Sequence, residues 1–316
     1  MNHIEKMVVG YLFFNKVKIE NANAISSPMT YGMPSITGFL GAFHALSRKV
    51  SSDENLQDLS LGGVLIACHD CTPKVYRPNP YSNYTFNQTR NPIKKDGSTA
   101  SIIEEGKCNL TMSFVVEILA ENATDDTTND YLAKKCEQWI QQQRIAGGSV
   151  MGLARFDAVS FIEYSKIEEI IPRLMPAFVL MDASDNFSEL INIAKEKNPD
   201  STPLDVLLDV ATLHHVPELQ PNGSIKWLTQ SVKTGYGWLV PMPIGYQGIS
   251  EPFDVGVMQE VRNPEYPSQY VECVYGLGKW LYPHHLKGDY KILSAFWRYQ
   301  QDVENNLFLV QQQVMF

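Results

Sequence analysis

The stretch Lys107-Cys108-Asn109-Leu110-Thr111-Met112-Ser113-Phe114-Val115-Val116-Glu117-Ile118 decides the fold. Cys108, Leu110, Met112 and Phe114 alternate with Asn109, Thr111 and Ser113, and this period of two predicts a strand with one buried face. Toward the C-terminus, a helix is expected from about Asn129 to Arg144. It would bury Leu132, Cys136, Trp139 and Ile140 and stop at Gly147-Gly148, where left-handed backbone is cheap. Ala158 to Tyr164 supplies the next strand. Toward the N-terminus lies Leu61 to Cys68, a strand of buried character. Before it, a helix is expected from Pro34 at N1 to about Val50. Ile36, Phe39, Leu40, Phe43 and Leu46 form its apolar face. Val8 to Ile19 reads as the first strand.

The order strand, helix, strand, strand, helix, strand is that of a ferredoxin-like or RRM-type α+β unit. A long insert, about residues 72–106, stretches it between the second and third strands. The expected division is residues 1–165 for this core and 166–316 for a second, mixed α/β lobe packed on it. In that lobe Ala177 to Met181 reads as a strand and Asn186 to Lys197 as a helix. Thr202-Pro203-Leu204-Asp205 opens another helix, with a cap and a first-turn acid in place. Ile225 to Trp280, rich in Gly, Pro and aromatics, looks like irregular β structure.

The 316 residues carry a formal net charge of -9. Taken as an average, that argues against nucleic acid and anionic membranes, since attraction to phosphate needs positive charge. The average conceals a division, because residues 117–218 hold 18 acidic and only 8 basic side chains. The apolar run Met7 to Phe14 is too short to span a bilayer and lacks a cleavage site, so no membrane partner and a cytoplasmic location are expected. The Asn-x-Ser/Thr triplets at Asn83, Asn87, Asn109, Asn122, Asn186 and Asn222 then read as chance matches. Five cysteines suit a reducing compartment. Cys68-His69-Asp70-Cys71 has no second ligand pair to complete a structural zinc site, so it reads as a strand end with one or two buried thiols and no metal is expected.

The insert between Thr72 and Ile103 holds Lys74, Arg77, Arg90, Lys94 and Lys95 against Asp96 alone. Tyr76, Tyr81, Tyr84 and Phe86 are interleaved with Asn79, Asn83, Asn87 and Asn91. Cations pair with phosphates, aromatic faces stack on unpaired bases and Asn reads base edges, a combination suited to single-stranded RNA. A solvated hairpin kept soluble by its Lys and Arg fits the same residues. Arg144-Ile145-Ala146-Gly147-Gly148-Ser149 is either a Gly-rich concavity for an anion, with Arg144 beside it, or simply a helix stop. Catalytic residues are sparse. His214-His215 and His284-His285 are sequence neighbours that do not share a face. His44 on the first helix reads as packed or hydrogen-bonded, and alternation points Glu104 and Glu105 to opposite faces. No catalytic residue and no cofactor are expected.

Longer blocks carry a resemblance. Ile19-Glu20-Asn21-Ala22-Asn23-Ala24-Ile25-Ser26-Ser27-Pro28, running on through Thr30, Gly32 and Pro34, resembles the N-terminal signature of the second Csy subunit of type I-F CRISPR surveillance complexes. Phe86-Asn87-Gln88-Thr89-Arg90-Asn91-Pro92, with Lys95-Asp96-Gly97-Ser98-Thr99-Ala100 and Glu104-Glu105-Gly106, is similar to that family's most distinctive block. Arg144 to Ser149, Gly237-Trp238-Leu239-Val240-Pro241 and Gly276-Leu277-Gly278-Lys279-Trp280 follow in order. Ala177, where glycine is expected, and Lys279, where an acid is expected, depart from the pattern.

The resemblance implies a RAMP-superfamily fold, an RRM-like core with a long β-hairpin thumb. It further implies a non-catalytic subunit that caps the 5′ handle of the guide RNA. The implied partners are that RNA, the large Csy subunit and the backbone Csy subunit, with target DNA engaged through the assembled complex. Arg90, Asn91, Lys94 and Lys95 become the leading phosphate and base contacts. Arg144, Gly147, Gly148 and Ser149 become a loop beside the RNA, and Asn21, Asn23, Ser26 and Ser27 become polar groups able to read a splayed base. The enzymatic rival is a metal-independent endoribonuclease using His44 or a thumb tyrosine.

Overall fold

The structure, a computed structural model, describes residues 6–261, 263–287 and 292–312. The fold is α+β with antiparallel sheets, and the chain divides into two compact units. The first comprises the chain through Phe178 with Tyr282–Trp297, and the second Val179–Leu281 with the chain from Arg298. The position 165/166 lies within a 3-10 helix, Tyr164–Ile170, of the first unit.

In the first unit, β1 (Met7–Asn23) is followed by a small pair, β2 (Ile25–Ser27) and β3 (Thr30–Tyr31), and then by α1 (Ile36–Ser52). Next come β4 (Ser60–Tyr76), β5 (Thr85–Arg90), β6 (Ile102–Glu105) and β7 (Lys107–Ala120). α2 (Asp126–Ile140), β8 (Arg144–Ile145), β9 (Gly148–Gly152), β10 (Val159–Glu163) and α3 (Ile171–Leu174) complete it. β7 pairs antiparallel with β4 on one side and with β1 on the other. The far edge of β1 is shared: β10 pairs with Gly10–Phe14, and β9 with Lys18–Glu20.

Burial changes along β1, and with it the number of covered faces. Tyr11, Leu12, Phe13 and Phe14 are all buried, whereas Lys16, Lys18 and Glu20 are exposed between the buried Val17 and Ile19. On one face α1 supplies Phe43, whose ring meets Phe14 at 5.2 Å and Phe114 at 5.0 Å. On the other, Tyr11 stacks near Tyr164 and Phe296, and the Arg173 guanidinium lies 4.5 Å above Phe13. Each such buried ring contributes roughly 2–3 kcal/mol from area removed from water. Past the bulge between Phe14 and Val17 the alternation of a strand buried on one face returns.

Several sequence expectations need correction. α1 starts at Ile36 with Ser35 as N-cap, so Pro34 precedes the cap instead of occupying N1. α2 ends at Ile140, before Arg144, because the following residues turn to pair with β1. Gly147-Gly148 is therefore not a helix stop but the corner of the β8–β9 hairpin, with Ala146 at φ 49 and Gly147 at φ 80, the twist a two-residue hairpin turn demands. His44 is exposed on α1 rather than packed. Cys68 and Cys71 are only half-buried. The strand expected to end at Cys68 runs on to Tyr76, since β7 offers it a partner as far as Lys107.

In the second unit β11 (Phe178–Asp182) is followed by α4 (Ser184–Lys197), α5 (Pro203–Ala211), β12 (His214–Leu219) and β13 (Ile225–Gln230). β14 (Trp238–Gly248), β15 (Val271–Leu281), β16 (Trp297–Asp302) and β17 (Leu307–Gln312) complete it. The segment expected to be irregular thus contains a long regular pair, β14 against β15, and begins with β13, which forms an isolated hairpin with the preceding β12. The core joins Leu190 of α4 and Val206, Leu207 and Val210 of α5 to Leu239 and Leu277 of the sheet. Thr202 and Asp205 form the capping box that the sequence announces.

Candidate nucleic-acid interface

Four segments converge at the end of the first unit's sheet where β1 has one open face. β4 and β7 continue there, with Thr72 opposite Asn109 and Lys74 opposite Lys107. β5 then pairs with the end of β4, Val75 opposite Phe86 and Tyr76 opposite Thr85. β6 pairs with β5 from Asn87 and Glu105 to Arg90 and Ile102. The insert is therefore a twice-folded ribbon rather than a single long hairpin, because a turn over residues 77–84 sends the chain back along β4.

Arg90, Asn91, Lys94 and Lys95 occupy the outer end of this ribbon and are all exposed. The Arg90 guanidinium donates to the Ala100 carbonyl at 3.4 Å, and the Asn91 N–H to the Ser101 carbonyl at 3.1 Å. A tight turn follows, with the Gly97 N–H donating to the Lys94 carbonyl at 2.9 Å. Asp96 faces Ser98, accepting from its N–H and hydroxyl, and these bonds hold its carboxyl below the usual range. Among the described residues neither lysine nor Arg90 forms an ion pair, so three cations without a carboxylate partner lie on one exposed ribbon end, Arg90 tethered to the Ala100 carbonyl.

The other predicted residues sit at the ribbon's base. Asn21 adopts φ 59 at a bulge in β1, a conformation asparagine tolerates. Its side-chain carbonyl accepts from the Lys74 ammonium at 2.7 Å, and its N–H donates to Asn109 at 3.3 Å. The β8–β9 hairpin closes on this strand end, with Ser149 opposite Glu20 and the Asn23 N–H donating to the Ala146 carbonyl at 2.9 Å. Gly148 is buried where a Cβ would lie 2.7 Å from the Ala22 nitrogen and 2.7 Å from the Glu20 oxygen. Arg144, Gly147 and Ser149 remain exposed on the same hairpin.

Asn23, Ser26 and Ser27 serve the turn itself. The Asn23 amide brackets Ile25, donating to its carbonyl at 2.8 Å and accepting from its N–H at 3.1 Å. The Ser26 and Ser27 hydroxyls both meet the Thr30 hydroxyl, at 2.7 and 2.6 Å, and Ser27 is buried. The structure thus brings Asn21, Asn23, Arg144, Gly147, Gly148 and Ser149 to one strand end and leaves Arg90, Asn91, Lys94 and Lys95 raised above it on the ribbon.

Sequence reasoning passed over the open face of the sheet. Lys18 lies opposite Thr111, which lies opposite Asp70, while Thr72 pairs with Asn109. All are exposed or half-buried. The alternation of Lys16, Lys18 and Glu20 with Val17 and Ile19 was the available signal. Beneath this face lies Ser113, fully buried, whose hydroxyl accepts from the Lys16 N–H at 3.0 Å and meets His69 Nε2 at 2.8 Å. Burial first, and the charge of Lys16 second, push His69 down to about 4. Burial likewise pushes the Cys68 thiol up to about 12, opposite to an activated redox thiol. Among the described residues no His, Cys, Asp and Glu side chains cluster as a metal site, and no helix is long and apolar enough to cross a membrane.

These features define an α+β protein that raises a basic loop on a β-ribbon and docks a glycine hairpin at the base of that ribbon. Its sequence matches the family described as CRISPR-associated protein (Cas_Csy2) over residues 12–310. It is 31% identical over 312 residues, 94% of this chain and 93% of the relative, to CRISPR-associated protein Csy2 of Pseudomonas aeruginosa (strain UCBPP-PA14). The chain belongs to the Csy2 family of CRISPR-associated proteins.

Proposed function

We propose that this chain is the subunit of a type I-F CRISPR complex that binds the 5′ handle of the guide RNA without cutting it. The observation that carries the reading is the raised loop on which Arg90, Lys94 and Lys95 stand exposed without a carboxylate partner while Asp96 turns to Ser98. Free cations next to a polar, half-open sheet face are what a flexible phosphate backbone with splayed bases requires.

The fold supports the same reading. The outer strands β4 and β10 flank β7 and β1, every neighbour is antiparallel, and α1 and α2 fall between the strands as in an RRM-like core of RAMP type. The ribbon would act as the thumb and the second unit as the additional lobe. The large and backbone Csy subunits would be the protein neighbours, with target DNA engaged by the assembled complex in the cytoplasm. The division of labour is that of RNA-guided systems, in which base pairing reads sequence and protein holds the guide.

The test is handle-RNA affinity as a function of salt. Each phosphate contact on a single strand contributes about -0.7 to the slope of log K against log salt, so Lys94→Ala with Lys95→Ala should flatten it by about 1.4. An unchanged slope would overturn the placement. Incubation with repeat RNA checks the non-catalytic part: intact RNA is expected, and site-specific cleavage abolished by His44→Ala would contradict it.

A further inference from the structure

The polar row at the base of the ribbon has a direction. Asn21, Asn109 and Lys74 stand together on the open sheet face, with Asn109 opposite Thr72 and Lys74 next on that face of β4. A lysine ammonium has only hydrogens to give, so the Asn21 atom 2.7 Å from Lys74 Nζ is its carboxamide oxygen. The Asn109 oxygen is fixed in the same way, because it accepts from the backbone N–H of Asn21 at 3.3 Å. Both carboxamides are thus oriented by obligate donors, and both NH2 groups are left over. Among the described residues no protein acceptor takes either of them.

The backbone enforces the arrangement. Asn21 adopts φ 59 within the bulge between Ile19 and Ala22, so its N–H turns to the Asn109 side chain instead of a carbonyl of β7. Lys74 faces Lys107 across β4 and β7, and the two ammonium groups part: Lys107 pairs with Glu105 at 3.4 Å and Lys74 goes to Asn21. Two exposed carboxylates frame the row, Glu20 before Asn21 and Asp70, which accepts from the Thr72 hydroxyl at 3.0 Å. A phosphate brought here would meet negative charge on both sides, whereas an uncharged base edge would not. The cations placed for phosphate are at the outer end of the ribbon. Arg77 is not among them, since its Nε donates to the Ser82 carbonyl at 2.9 Å and its Nη1 to the Tyr84 hydroxyl at 3.4 Å, which ties it to its own turn.

We infer that Asn21 and Asn109 form a donor-only reader on the sheet face, which selects a nucleobase presenting acceptor atoms, a carbonyl oxygen or an unprotonated ring nitrogen, and rejects an exocyclic amino group in the same place. An unrestrained asparagine does not discriminate, because a half-turn of its amide exchanges acceptor for donor. A locked one does, since an arriving amino group sets hydrogen against hydrogen and leaves buried polar groups unpaired. Lys74 is the positioning residue: by occupying Asn21 Oδ1 it forbids the half-turn. The inference rests on the reading of this chain as a handle-binding subunit and adds the kind of base edge that the sheet face accepts, leaving the phosphates to Arg90, Lys94 and Lys95.

The experiment is a cycle of protein and RNA variants with the full chain and synthetic handle RNA. Asn21→Asp and Asn109→Asp each keep the oxygen that the internal donor needs and replace the free NH2 by oxygen. Each should weaken handle binding about tenfold. That loss should vanish when the base of one particular handle nucleotide is removed, because the protein and RNA changes then delete the same contact. Handles carrying single methylphosphonate linkages separate this from repulsion by the added charge. A loss that vanishes only when a phosphate is neutralised, or affinities unchanged in both variants, overturns the inference. Lys74→Met should relax the preference for a carbonyl over an amino group at that nucleotide, and Lys74→Arg, which still donates, should restore it. A preference untouched by Lys74→Met overturns the positioning role. If the unaltered chain binds no handle RNA, the handle-binding reading itself falls and this one with it, whereas tight binding that is indifferent to both Asp variants fells this one alone.

Discussion

Two adjacent glycines in the β8–β9 hairpin should respond very differently to the same added methyl group. At Gly147 the backbone is left-handed, φ 80, but nothing lies within 4 Å of an added Cβ. The cost of Gly147→Ala is then conformational, about 1 kcal/mol, and Ala146 already occupies such a conformation next to it at φ 49. At Gly148 no left-handed φ is involved, yet a Cβ would meet the Ala22 nitrogen, the Glu20 oxygen and the Ile19 Cγ2, each at 2.7 Å. Two of these are backbone atoms of β1 and the third belongs to a buried side chain, so none can swing away. Restoring ordinary contact requires the hairpin to retreat from β1 by about 0.7 Å, a displacement of the overpacking kind that costs about 3 kcal/mol. Gly152, with open space and no left-handed φ, provides the control and should change stability by less than about 0.5 kcal/mol. The series is read by urea unfolding and by thermal melting, where 3 kcal/mol corresponds to roughly 6–12 °C for a unit of this size. Hydrogen exchange should localise the Gly148→Ala loss to the hairpin and the Ile19–Asn23 end of β1. A Gly148→Ala protein within about 0.5 kcal/mol of wild type, or one less affected than Gly147→Ala, would refute the packing argument.

Protonation of His69 should act on stability in one direction. Its folded value is depressed to about 4, so the unfolded chain binds the proton first, and stability should fall as pH drops from about 6.5 toward 4. His69→Gln should flatten that part of the urea-midpoint profile, and an undiminished slope in the variant would place the titration elsewhere. In the second unit, Thr202→Ala removes the hydroxyl that accepts from the Asp205 N–H at 3.3 Å and should cost about 1 kcal/mol, measured as loss of exchange protection in the first turn of α5.

What the sequence determined by itself was the set of elements whose signals are local. The alternation through Lys107–Ile118, the apolar face of α1 and the Thr202 capping box depend on neighbours a few residues away, and the structure places β7, α1 and α5 on them. The basic composition of the insert and the family resemblance were legible for the same reason. The path of the insert was not. Whether β4 stops at Cys68 or continues to Tyr76 depends on β7 offering partners as far as Lys107, a pairing across more than thirty residues of chain. The glycines at 147 and 148 read as a helix stop because that is their commonest local meaning, and only the approach of the hairpin to β1 assigns the second one its role. Likewise Arg77 counted as a free cation in the sequence and became a tether in the fold, while Lys18 and Lys74 emerged on an open face that only strand pairing creates. Charge and periodicity are properties of the chain, but the availability of a charge depends on which carbonyl or carboxamide the folded backbone brings beside it.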